Sequence, residues 1–404
     1  MRLLLAAILL LFAPGVRAQP VPWPRAPVDF ASRAEIESAA AAFPNSSNMQ
    51  RRRLGAALEA HDAAAARDAL RRLAAMGATL SPASRARIAE LVGAAPVAAL
   101  ASAFEANAAP VGHSEVYATI GTDQHLIEGL IWNGRARRLY ATSVVDRRLL
   151  EVRPDGVRVV AEGGLGSLLG GAWDPARGRL WISSATIEQS SPGPAFAGLL
   201  GVDPADPASA RRIPAPAGAS PGDVAVAPDG TVYVSDGMNG AVYRCRPGCA
   251  ALETWLPAGT FRSAQGMAVS ADGRLLYVAD YRYGLAAVER TSGRAWRMRA
   301  PPDMMLDGID GLVRDHGRLI VTQNGAPPLR IVALTLSPDG LRIAGLRVLE
   351  RANPAWEEPS LGTVIGNRFV YVSNPQWSRY GAGGAVTGEG PVQPTRLRAL
   401  RLGR

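Results

Sequence analysis

The sequence predicts a mainly β protein: a six-bladed β-propeller preceded by a small all-α helical region. Three observations carry that expectation. Helical periodicity ends near Pro110, and short β-branched and aromatic runs then alternate with P-D-G, A-D-G and R-G-R turns. Those runs repeat as strand, tight turn, strand: EGLIWNGRARRLYATS from Glu128, GGAWDPARGRLWISS from Gly170, GDVAVAPDGTVYVSD from Gly222, QGMAVSADGRLLYVAD from Gln265, DGLVRDHGRLIVTQN from Asp310 and LGTVIGNRFVYVSN from Leu361. Taking Gly129, Gly171, Asp223, Gly266, Gly311 and Gly362 as one phase, the steps are 42, 52, 43, 45 and 51 residues. A repeat of about this length, built from one four-stranded sheet, is the propeller signature. One such sheet cannot bury both faces alone, but six packed around an axis can.

The elements follow in chain order. Arg2, the apolar run Leu3–Phe12, Pro14 and the small residues Val16 and Ala18 read as a secretory signal over residues 1–18, too short to span a membrane. Residues 19–28 hold four prolines and read as a linker. Residues 29–109 form the helical region, with helices expected over Arg33–Phe43, about Met49 to His61, Ala64–Met76, and from Ser81 to near Gly93. Ser46 or Ser47, Pro82 and Gly77 supply the start and stop signals. LGAALEAHDAAAARDALRRLAAMG resembles a single tetratricopeptide-type hairpin, one copy of a unit that needs neighbours to form a solenoid. The propeller takes residues 112–404. Ser114–Ile120 and Thr395–Leu402 flank the repeats, and one of them is expected to complete the last blade from the opposite end of the chain.

Composition excludes several chemistries. All 44 basic residues are arginine, so neither a Schiff-base lysine nor a Walker A lysine exists. Two cysteines, Cys245 and Cys249, cannot build a Cys-rich zinc site; in an oxidising compartment they are expected to staple a hairpin tip. The four histidines form no H-x-x-x-H pair. Loss of residues 1–18 removes Arg2 and Arg17 and lowers the formal charge from +9 to +7. The arginines are spread along the chain without aromatic interleaving, so nucleic acid is not the expected partner. A periplasmic or secreted location follows from the signal.

Two motifs reduce to loops. Gly218–Gly222 matches G-x-S-x-G, but Pro221 follows the serine directly and a strand, not a helix, comes next. Gly164–Gly170 is mis-spaced for a dinucleotide loop and also leads into a strand. The glycine-rich stretch Gly381–Gly390 reads as a surface loop of the sixth repeat that could cover the channel mouth.

The informative constellation is the first residue of each innermost strand, because those positions converge at one end of a propeller channel. They are Glu128, Gly170, Gly222 with Asp223, Gln265, Asp310, and Leu361 with Glu358 upstream. Like charges brought together from separate blades repel unless a cation sits between them. Carboxylate and amide oxygens suit a hard divalent ion. The competing reading has the same polar groups binding strand ends and channel water.

These segments also carry a family resemblance. IEGLIW, GDVAVAPDGTVYVSD, QGMAVSADGRLLYVAD and IDGLVRD resemble the senescence-marker-protein/gluconolactonase family, six-bladed metal-dependent lactonases that include regucalcin. The resemblance covers about residues 120–325, with the last blade looser and the helical region outside it. It implies metal ligation by Glu128 (the Glu of E-[GS]-P-x-W) and Asp310 (the Asp of P-D-G-[ML]). Gln265 stands where the family has a metal Asn, and Gly222-Asp223 replaces its substrate-binding Asn-Asp pair. The resemblance further implies Asp310 as ligand and general base, and a divalent metal such as Ca²⁺, Mg²⁺, Mn²⁺ or Zn²⁺. Paraoxonase and strictosidine-synthase-like propellers share this layout.

Two functions are therefore expected to compete. One is an exported gluconolactonase-like hydrolase of a lactone or ester, with Asp310 catalytic and Glu128, Gln265 and Asp310 around the metal. Asp223, His125 and Asn324 would contact substrate, with Gln323, Asn374, Gln376 and Trp377 as further loop-end candidates, and His125 an alternative base. The other is a non-catalytic propeller, similar to the NHL-repeat class, binding a ligand or a protein. The helical region offers a surface for a protein partner in either case.

Overall fold

In the structure, a computed structural model, residues 20–193 and 195–403 are described; the signal segment expected over residues 1–18 lies outside them. Six antiparallel sheets follow one another along the chain. Their innermost strands are Ile127–Asn133, Ser167–Asp174, Pro221–Val226, Ala264–Val269, Ile309–Asp315 and Gly362–Ile365, here blades one to six. Each innermost strand touches the next, and blade six packs back on blade one, so the ring is closed.

The repeated residues explain the packing. The second strands place Tyr140, Trp181, Tyr233, Tyr277, Ile320 and Tyr371 at equivalent positions, all at most 5% exposed. Alternation on these strands sends aliphatic side chains to both faces, where they meet the neighbouring blades; Leu275, Tyr277 and Ala279 of blade four share a cluster with Leu312, Leu319 and Val321 of blade five. Closure uses Glu115–Ile120, which pairs with Thr395–Arg401 as the outermost strand of blade six. The join is buried. Glu350 accepts from Ser114 and Tyr371, and Arg398 donates to Ser114. Cys245 and Cys249 are disulfide-bonded beyond the third strand of blade three.

Six helices precede the ring: α1 (Arg33–Ala42), α2 (Ser47–Glu59), α3 (Ala63–Ala75), α4 (Pro82–Val92), α5 (Ala94–Ala98) and α6 (Ala101–Ala108). The first four start at Ser32, Ser46, Asp62 and Ser81, whose side-chain oxygens accept helix N–H groups. α5 and α6 have no side-chain cap bond, which is why no start signal marked them in the sequence. No helix of the described residues is long and apolar enough to cross a membrane.

The helices are seated on the loops of blades four and five. Asn45 donates its amide to Pro301 and Met304 carbonyls. The buried Asp307 of the propeller accepts the Ser47 and Asn48 N–H groups at 2.8 and 2.7 Å, so a ring residue satisfies the first turn of α2. Phe43 stacks on Tyr283. The proline-rich stretch expected as a linker is docked too. Val21–Pro22 pairs with Ala295–Arg297 as a fifth strand of blade four, and Trp23 packs between Phe43 and Phe261. Apolar burial by Trp23 and a free blade edge override the linker composition.

Candidate functional site

The site is built where five innermost strands break register. The ladder shifts between Ile127 and Leu130, Leu168 and Gly171, Pro221 and Val224, Ala264 and Met267, and Ile309 and Gly311. Bulges re-aim side chains. Here they hold Glu128, Gly170, Asp223, Gln265 and Asp310.

Glu128, Asp223, Asp310 and Glu358 line one cavity of about 410 Å³, together with Gln265, Asn324, Tyr281 and Trp377. Neither arginine nor histidine is among its described lining residues. Glu128 is 6% exposed; its Oε2 accepts the Trp377 indole N–H at 2.8 Å. Asp310 Oδ2 accepts the Asn324 amide at 2.7 Å. The carboxylate of Asp223 has no hydrogen-bond partner among the described residues. Gly170 leaves it room, since a Cβ there would lie 2.2 Å from Asp223 Oδ1. Gly237 does the same for Gln265: a Cβ would lie 2.6 Å from Nε2. Nε2 of Gln265 donates to Ser263, which keeps its Oε1 as an uncommitted oxygen.

Burial without a counter-charge raises these acids. Burial first, then Asp310 and Asp223, hold Glu128 well above the usual carboxylate range. Burial and Asp310 do the same to Asp223. Burial pushes Asp310 up to about 6 against the opposing Asn324 hydrogen bond. Glu358 rises to about 7 through burial, Asp310 and Glu357. Tyr281 is raised by burial, Asp310 and Glu358.

Carboxylate and amide oxygens are the donor type that hard divalent cations take. Glu128, Asp223 and Asp310 bring carboxylate oxygens to one cavity, and Asp310 Oδ1 and Gln265 Oε1 accept no hydrogen bond from the described residues. No group of three His, Cys, Asp or Glu side chains placed to hold a metal ion occurs among the described residues.

The residues expected from the sequence divide accordingly. Glu128, Asp223, Gln265, Asp310 and Asn324 line the cavity, and so does Trp377. His125 does not. Leu126, at φ 52°, turns the chain between it and Glu128, and its Nδ1 lies 2.8 Å from Asp146 while the ring meets Tyr380 edge-on. Gln323 is buried against the Met305 and Asp307 carbonyls, and Asn374 and Gln376 bind the backbone of residues 393–396. The Gly381–Gly390 loop is folded by Arg379, which donates to the Thr387, Glu389 and Gly390 carbonyls, and Gly383 donates to Glu188. Tyr281 is one of the lining residues that the sequence reading lacked, with Ile187, Met238 and Ser263. Its signal was positional: it directly follows the second strand of blade four, as Asn324 follows that of blade five.

Fold and site define a six-bladed β-propeller with an acidic channel mouth. A model of the strictosidine synthase-like N-terminal family matches residues 208–245. No curated protein matches the chain. Among solved structures, a gluconolactonase from Xanthomonas campestris is similar at 22% identity, over 74% of this chain and 93% of that one, with a TM-score of 0.49. The PQQ-bound aldose sugar dehydrogenase from Streptomyces coelicolor is similar at 15% identity, over 72% and 99%, with a TM-score of 0.46. A nidogen/laminin complex is matched at 13% identity, over 55% and 80%, with a TM-score of 0.43.

Proposed function

We propose that this chain is an exported lactone or ester hydrolase that works with a divalent metal at the channel mouth. The observation that carries the reading is the cavity shared by Glu128, Asp223, Asp310 and Glu358 with no cationic side chain on its described lining. The motif resemblance around Glu128 and Asp310 points the same way, and the Cys245–Cys249 disulfide suits an oxidising compartment.

Glu128, Asp310 and the Gln265 amide oxygen would hold the metal. When bound, it supplies polarisation of the ester carbonyl and charge compensation for the acids. The chain's own groups do the rest. Asp310 accepts a proton from water as its oxygen attacks the carbonyl carbon. The ring C–O bond then breaks, and the proton passes to the departing oxygen, leaving a hydroxy acid. Trp377 holds Glu128 in place.

The test is hydrolysis of aldonolactones and aryl esters by the full chain, with and without Ca²⁺, Mg²⁺, Mn²⁺ or Zn²⁺. Turnover that needs a metal and is lost in Asp310→Asn supports the reading. The binding-propeller reading draws on Gly222, which offers no side chain where the resemblance places an amide. It gains if no substrate turns over while a sugar or lactone still raises the melting temperature.

A further inference from the structure

Asn324 was expected among the substrate contacts, yet its amide is already committed. One N–H of Nδ2 goes to Asp310 Oδ2 at 2.7 Å and the other to the Pro359 carbonyl at 3.1 Å. An amide nitrogen has two hydrogens, so no donor remains for a substrate. Its Oδ1 accepts the Tyr281 hydroxyl at 2.9 Å. A single side chain thus joins blade four through Tyr281, blade five through Asp310, and the approach to blade six through Pro359.

The backbone around it is built to the same end. Gly308 N–H donates to the Tyr281 carbonyl at 2.8 Å, and Gly325 N–H to the Gly308 carbonyl at 3.1 Å. A Cβ on Gly325 would lie 2.4 Å from Tyr281 Cζ, so only glycine lets the phenol ring reach Asn324. One residue beyond Pro359, Ser360 Oγ donates to the Glu128 carbonyl at 3.0 Å. The segment that Asn324 ties down therefore also fixes the strand carrying the opposite acid.

We propose that Asn324, backed by Tyr281, is a positioning residue for Asp310 and does not contact the substrate. It fixes one carboxylate oxygen so that the other is presented to a cation and to water. This rests on the reading of Asp310 as metal ligand and base. Outer partners of ligating carboxylates commonly change metal affinity 10- to 100-fold when removed.

The experiment is titration of the full chain with Mn²⁺, following the free-ion electron paramagnetic resonance signal. Asn324→Leu keeps the bulk and deletes all three bonds, and should weaken Mn²⁺ binding by about tenfold or more. Tyr281→Phe should weaken it by roughly threefold, and should add nothing in the Asn324→Leu background, because the hydroxyl acts only through the amide. In steady-state hydrolysis, Asn324→Leu should lower kcat with KM little changed; a raised KM at unchanged kcat would restore the substrate-contact role. Both single variants binding Mn²⁺ as tightly as wild type would overturn the proposal and leave the metal reading standing. Wild type that takes up no Mn²⁺ overturns the metal reading, and this proposal with it. If Asn324→Leu does not fold, Tyr281→Phe decides alone: unaltered Mn²⁺ affinity refutes the relay.

Discussion

Glu128, Asp223, Asp310 and Glu358 share a cavity without an arginine on its described lining, in a chain with 44 basic residues, every one of them arginine. That imbalance has a measurable sign. Asp310 is held at about 6 and Glu358 at about 7, both above the range near 4 that carboxyls have in an unfolded chain. The folded state keeps protons that the unfolded state has released. This contribution to stability is complete below about pH 4 and is lost as pH rises through 6 and 7. In chelator, the melting temperature should fall across that window, and fall less in Asp310→Asn. Millimolar Mn²⁺ should restore it near pH 7.5 in wild type but not in Glu128→Gln. A pH-independent melting temperature in chelator, unmoved by metal, would contradict the site. A bound cation favours the ionised carboxylate, so the acidic limb of the pH–rate profile should lie below the value of about 6 that Asp310 has without metal. Glu128, Asp223, Gln265 and Asp310 could be located from the sequence because they occupy one phase of a repeat. Asn324's commitment and His125's absence from the lining could not. The first depends on contacts between three blades, the second on a left-handed turn at Leu126 that no composition signals.

At the scale of the element, the bulged strand end and the helix start decide the geometry. Gly170 occupies the bulge of blade two, pressed against Asp223 of blade three. Gly170→Ala should displace that carboxylate and cost about 1–3 kcal/mol of stability, read by chemical denaturation. Asp307 plays the same joining role for α2. Its removal in Asp307→Ala leaves the buried Ser47 N–H and the half-buried Asn48 N–H without an acceptor, at about 1–3 kcal/mol. Hydrogen exchange should then accelerate first in residues 47–59, ahead of the blades. Uniform acceleration across the ring would show that the helices do not depend on this contact. The strands were readable because turn residues and a recurring Tyr, Trp or Ile mark each second strand. α5 and α6 were not, since neither carries a cap.

At the scale of the whole molecule, the linker-like residues and the helices belong to the body of the ring. Trp23, Phe43, Phe261 and Tyr283 form one aromatic contact chain across them. Calorimetry should show one cooperative transition, and protease should not release the helical region under native conditions. Early cleavage between residues 20 and 28 followed by an intact ring would show otherwise. Composition misled here because proline content reports the preference of a free chain, whereas Val21–Pro22 is held by a blade edge. The closing strand has another consequence, for the order of events on the ribosome. Residues 115–120 are made well before their partner, residues 395–401. Until residues 395–401 have been made, that strand has no mate and blade six cannot assemble. A chain cut short before residue 395 is therefore an open arc with unsatisfied strand edges.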